Sequence, residues 1–110
     1  MSDTNQVEIP QSFIALFVEP GRSKPAATRL FIAERYELCE DMAQMLTQTA
    51  EAMLHGLGIT EADVLQRCHR GLVSGEAVVT APEAEWVVRR LAELQQWPQP
   101  AALPLPESPR

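Results

Sequence analysis

The fold is decided by the stretch from Arg29 to Leu57, which reads RLFIAERYELCEDMAQMLTQTAEAMLHGL. No proline interrupts this stretch, and its first glycine is Gly56. Apolar residues recur along it at alternating steps of four and three, a spacing that places them on one face of an α-helix. They are Ile32, Tyr36, Cys39, Ala43, Leu46, Ala50, Met53 and Leu57. We therefore expect one amphipathic helix about 40 Å long, at about 1.5 Å per residue.

The long helix also carries the residues that we expect to contact a partner. A row of mostly apolar side chains widens the apolar face, and acidic side chains occupy the opposite face. The apolar candidates for a partner or dimer interface are Leu38, Met42, Met45, Leu46 and Met53. The candidates for an acidic contact face are Glu37, Glu40, Asp41 and Glu51. Methionine suits an interface because its flexible side chain adapts to different surfaces.

Three shorter helices are predicted around the long one. The apolar residues within 10–18 could form a short helix or a strand. We predict the helix, because the chain offers no second strand to pair with this one. Thr60 is a natural N-cap for a helix over about 61–74. The pattern Thr80-Ala81-Pro82-Glu83 predicts a helix over about 81–97. The expected fold is a small all-α helical bundle.

Composition limits the domain count, the location and the partners. With 110 residues and a formal net charge of −6, the chain is expected to form one helical domain over 9–97. Residues 1–8 are predicted to be disordered, and 98–110 to be a Pro-rich disordered tail or a docking peptide. The acidic balance argues against binding nucleic acid or an anionic membrane. No signal pattern and no membrane-spanning run is present, which predicts a cytoplasmic protein.

The residues able to carry chemistry are few, and no catalytic, cofactor or metal site is predicted. One alternative is a metal- or thiol-dependent sensor or enzyme that uses Cys39, Cys68 and His69, although no metal-ligand spacing supports it. A second alternative is a helix-turn-helix DNA-binding regulator formed by the last two helices. Its basic groups would be Arg67 with Arg70 and Arg89 with Arg90.

Four strings in the sequence are similar to a family of short, uncharacterised proteobacterial proteins. They are Arg35–Leu46, Leu57–Leu65, Cys68–Leu72 and Trp86–Trp97. Some members are labelled "ATPase with chaperone activity". The chain has no Walker-type phosphate loop, so the resemblance does not extend to ATP hydrolysis. It implies a cytoplasmic location and transfers no site residue.

The leading functional prediction is a non-enzymatic protein–protein interaction module. It would be a small acidic adaptor or a chaperone-like binder of another protein. The wide apolar face of the long helix predicts a homodimer, because shorter helices cannot cover its full length.

Overall fold

The structure is a computed structural model that describes residues 8–100. Its helices are α1 (Gln11–Ile14), α2 (Arg29–Leu57), α3 (Glu61–Val73) and α4 (Ala81–Gln95), with a 3-10 turn at Ala15–Phe17. No β-strand occurs within residues 8–100, so the predicted all-α class is confirmed. The predictions for both termini fall largely on residues 1–7 and 101–110, which lie outside the described residues.

The chain divides into two compact units, one ending at Leu38 and one beginning at Cys39. Helix α2 contributes its first part to the first unit and its remainder to the second. The division into two units does not test the expectation of a single domain over 9–97, which stays a prediction. Each unit is described separately below.

The first unit is built around aromatic side chains. The ring of Phe13, which is fully buried, lies 5.5 Å from Phe17 and 5.6 Å from Tyr36, between ring centroids. Phe17 in turn meets Phe31 edge-on at 6.0 Å. Edge-on and tilted pairs are the favoured aromatic arrangements because ring edges are positive and ring faces negative. The apolar residues within 10–18 therefore dock on the first part of α2.

A turn joins α1 to α2. Its two sides meet in an isolated antiparallel bridge between Val18 and Pro25, and the Ala26 N–H donates to the Phe17 carbonyl at 2.8 Å. Gly21 allows this reversal because its backbone takes a positive φ of 81°. Thr28 then caps α2, since its hydroxyl accepts from the Phe31 N–H at 3.1 Å.

The second unit is a bundle of α2, α3 and α4 around a shared apolar core. Each helix supplies fully buried side chains, and these are small or branched. The core consists of Ala50, Val64, Leu65, Cys68, Val88, Leu91 and Ala92. Around it pack the partly buried Leu46, Met53, Leu54, Ile59, Leu72 and Trp97.

Helix caps fix the starts of α3 and α4 as the sequence predicted. The Asp63 N–H donates to the Thr60 hydroxyl at 3.1 Å. At α4 a full capping box forms: the Glu83 N–H donates to the Thr80 hydroxyl, and the Thr80 N–H donates to the Glu83 carboxylate. These bonds satisfy backbone donors that a helix start leaves without an intrahelical partner.

Three helix ends differ by a few residues from the approximate predicted bounds. The helix expected over 10–18 is α-helical only over Gln11–Ile14 and tightens to a 3-10 turn to Phe17. The helix expected over 61–74 ends at Val73, because Ser74 is extended. The helix expected over 81–97 ends at Gln95, because Gln96 adopts the left-handed conformation.

Candidate interaction surface on helix α2

The middle of α2 presents an uncharged face to solvent. From Met42 to Ala50 the sequence carries no charged residue. Spacings of three and four place several of these side chains on one side of the helix, which we call the α2 patch. The α2 patch consists of Met42, Met45, Gln48, Thr49 and Ala52. Met45 at its centre is 74% exposed, whereas Met42 is half-buried.

The structure separates the predicted apolar candidates into two groups. Leu46 and Met53 pack against the core of the second unit, so their side chains stabilise the bundle. Met42 and Met45 lie on the α2 patch. Leu38 is half-buried in the first unit. The sequence pattern could not make this separation, because it depends on which side of α2 receives α3 and α4.

Glu40, one of the four acidic candidates, is paired inside the second unit. Glu40 receives two hydrogen bonds from the Arg90 guanidinium of α4, at 2.9 and 3.0 Å, and one from the Gln44 amide at 2.9 Å. The side chains of Glu40 and Arg90 are 19% and 32% exposed. Such a bidentate pair is stronger than a single charged contact. It connects the middle of α2 to α4.

This pair shifts the ionisation of both partners. The Arg90 hydrogen bond is the main cause that lowers the pKa of Glu40, and partial burial opposes it. The hydrogen bond to Glu40 likewise raises the pKa of Arg90, with a further contribution from Glu93. The Glu40 carboxylate therefore stays charged, and its oxygens already accept hydrogen bonds from Arg90 and Gln44. It is poorly available to an external basic partner.

The remaining acidic candidates differ in their availability. Glu51 accepts a hydrogen bond from Gln95 of α4 at 2.7 Å and lies 3.1 Å from His55 on its own helix. Glu37 and Asp41 are exposed. Part of the expected acidic face, Glu40 and Glu51, therefore lies in the contact between α2 and α4.

The thiols and the histidine of the sensor alternative are all buried. Cys39 and Cys68 form no disulfide, and burial raises the pKa of the Cys68 thiol. A raised pKa keeps the thiol protonated, which makes it a poor nucleophile and a poor metal ligand. Among the described residues, no group of three or more His, Cys, Asp and Glu side chains is arranged to hold a metal ion.

The burial of His69 is a feature that sequence reasoning missed. His69 stands between the exposed Arg67 and Arg70 in the sequence, yet it is only 5% exposed. Its burial follows from pairs of adjacent residues repeated at a spacing of four along α3. These pairs are Val64-Leu65, Cys68-His69 and Leu72-Val73. That repeat was the signal available in the sequence.

The arginines of the DNA-binding alternative are divided between solvent and ion pairs. Arg67 and Arg70 are exposed on α3. On α4, Arg89 pairs with Glu85 at 3.0 Å, and Arg90 pairs with Glu40 and with Glu93. The α4 arginines therefore have acidic partners already, on α4 itself and, for Arg90, also on α2.

A scan against protein-family models, a search of curated proteins and a search of solved structures each found no match to this chain. The resemblance drawn from the sequence therefore rests on the quoted strings alone. Within the described residues, every helix is too short or too polar to cross a bilayer.

Proposed function

We propose that this protein is a non-enzymatic interaction module that pairs with a second copy of itself through the α2 patch. The observation that carries the proposal is the exposed, uncharged middle of α2 centred on Met45. One exposed methionine would not by itself indicate an interface. The argument rests on its position in a neutral face that continues over several helical turns.

Charge favours a second copy over a basic partner at this surface. Two chains of net charge −6 repel each other, and acidic side chains placed opposite each other would add to that repulsion. The α2 patch is the part of the helix where this cost is smallest. A basic partner would instead gain from acidic residues, and Glu40 is already bound to Arg90.

The position of Met45 suits a two-fold pairing. An antiparallel arrangement about an axis near Met45 would bring the α2 patch of each copy against the same surface of the other. Such closed two-fold pairs are the commonest oligomers of soluble proteins. Methionine side chains adapt to each other in such contacts because they are flexible and polarizable.

Pairing leaves a second surface for other proteins. Glu37 and Asp41 stay exposed and acidic. They would serve an adaptor that binds a basic segment of another protein after the dimer has formed. Charged groups of this kind mainly raise the rate of encounter and set the choice of partner.

Light scattering coupled to size-exclusion chromatography tests the proposal. The wild-type chain of 12.2 kDa is expected to elute with twice that mass at high micromolar concentration. Met45→Glu adds one charge at the centre of the α2 patch and should give a monomer with unchanged helical circular dichroism.

Val78→Glu is the matched control for this experiment. Val78 is also apolar and 61% exposed, but it lies in the connection between α3 and α4. The same charge added there should leave the dimer intact. A wild-type monomer at the highest concentration, or equal dissociation by both variants, would refute self-pairing through the α2 patch.

A further inference from the structure

The first unit contains a cavity of about 230 Å3. Its lining is aliphatic except for one charged residue. The lining residues are Ile9, Ile14, Pro25, Ala27, Arg29 and Ile32. Ile32 is buried, whereas Ile9 and Ile14 are half-buried, so the aliphatic side chains line an accessible hollow. Pockets for drug-sized ligands span about 300–1,000 Å3, so this one suits a smaller molecule.

Arg29 gives the cavity a positive end. It is exposed, it is the first residue of α2, and no residue in the described range forms an ion pair with it. The helix start adds to this charge, because its free N–H groups carry partial positive charge. A guanidinium binds a carboxylate especially well, since its parallel N–H groups match the two carboxylate oxygens.

We propose that this cavity binds a small aliphatic carboxylate. The alkyl part lies against Ile9, Ile14 and Ile32, and the carboxylate accepts hydrogen bonds from the Arg29 guanidinium. The hydrophobic effect favours burial of the alkyl chain against these aliphatic side chains. This site lies within the first unit and does not depend on pairing through the α2 patch.

Glu8 tunes the site from one side. Together with Ile9, Pro10 and Arg29 it lines a second hollow, which shares Ile9 and Arg29 with the proposed site. The two negative groups compete for Arg29. Removing the charge of Glu8 should therefore tighten ligand binding.

The chain has four isoleucines, which makes methyl NMR a direct test. Ile9, Ile14 and Ile32 line the cavity, and Ile59 packs against the core of the second unit. Titration with hexanoate is expected to shift the first three methyl signals saturably and leave that of Ile59 unchanged. Hexanamide, which lacks the charge, should bind at least about tenfold more weakly, the usual scale for one lost charged hydrogen bond.

Two variants and their control complete the test. Arg29→Gln should weaken hexanoate binding about tenfold, whereas Arg22→Gln, which removes the same charge from the neighbouring turn, should not change it. Ala27→Leu should block binding by filling the cavity. Glu8→Gln should strengthen it.

A peptide ending in leucine, compared with its amidated form, separates the two sources of such a carboxylate. Saturable binding of the free-acid peptide would assign the site to protein C-termini, and binding of hexanoate alone would assign it to free acids. The proposal fails if neither ligand moves the three cavity methyls, if all four methyls move together, or if Arg29→Gln binds as tightly as the wild type.

Discussion

Gln96 ends α4 in a conformation that glycine adopts at much lower cost. Its backbone has φ 60° and ψ 38°. The Trp97 N–H donates to the Ala92 carbonyl at 2.9 Å and the Gln96 N–H donates to the Glu93 carbonyl at 3.1 Å. This pattern is a Schellman motif, which satisfies the last carbonyls of the helix. For a residue with a side chain, the left-handed conformation costs about 1–2 kcal/mol.

Gln96→Gly is therefore expected to stabilise the protein. The gain should be about 0.5–1 kcal/mol, because glycine removes the steric cost but loses more conformational entropy on folding. Urea denaturation followed by circular dichroism measures the change. Gln96→Ala retains the Cβ atom and should give no comparable gain. A destabilised Gln96→Gly variant would show that the Gln96 side chain contributes more than its backbone conformation costs.

At the level of single residues, the sequence predicts those roles that depend only on residues nearby in the chain, such as helix capping. Thr60, Thr80 and Glu83 act within one helical turn, so their capping roles could be recognised directly. The left-handed Gln96 could not be recognised, because glycine is the usual residue at such a position. There the docking of Trp97 against the core favours the turn.

At the level of helices, the contact between Glu40 and Arg90 holds α2 against α4. Glu40→Gln keeps the shape of the side chain and removes its charge. We expect a loss of about 1–2 kcal/mol in the free energy of unfolding, because two charge-assisted hydrogen bonds in a partly shielded site are weakened. Glu93→Gln is the control, since the Glu93 side chain is 60% exposed and bonds the same guanidinium. It should cost less than about 0.5 kcal/mol.

The pH dependence of stability has a definite sign. The pKa of Glu40 is lower in the folded protein than its ordinary value of 4.5. Its contribution is therefore complete above pH 4.5 and is lost as the pH falls through the lower, folded pKa. Denaturation at a series of acidic pH values should show a smaller acid-induced loss for Glu40→Gln than for the wild type. Parallel curves would show that Glu40 titrates normally.

The periodicity of the sequence predicted the extent of α2, because apolar residues recur in every turn along the whole helix. It did not predict which apolar residues remain in solvent. Leu46 packs against the core and Met45 does not, although the two are adjacent. That difference is determined by where α3 and α4 dock, which depends on contacts between residues far apart in sequence.

At the scale of the whole molecule, the uncharged middle of α2 contrasts with the acidic balance of the chain. The chain carries a net charge of −6, yet its longest helix has an uncharged, solvent-exposed middle. Net charge keeps a protein soluble and separate from its copies, and a neutral face is where copies can approach. The uncharged run from Met42 to Ala50, which contains most of the α2 patch, can be read from the sequence. Its exposure became apparent only from the folded bundle.

Oxidative cross-linking of Met45→Cys tests self-pairing through the α2 patch most directly. An axis near Met45 would bring the two introduced thiols close enough to form a disulfide, which requires Cα atoms within about 7 Å. We predict rapid formation of a covalent dimer under mild oxidation, with Val78→Cys remaining largely monomeric. If both variants cross-link equally slowly, the contacts are random collisions, and the proposed interface is contradicted.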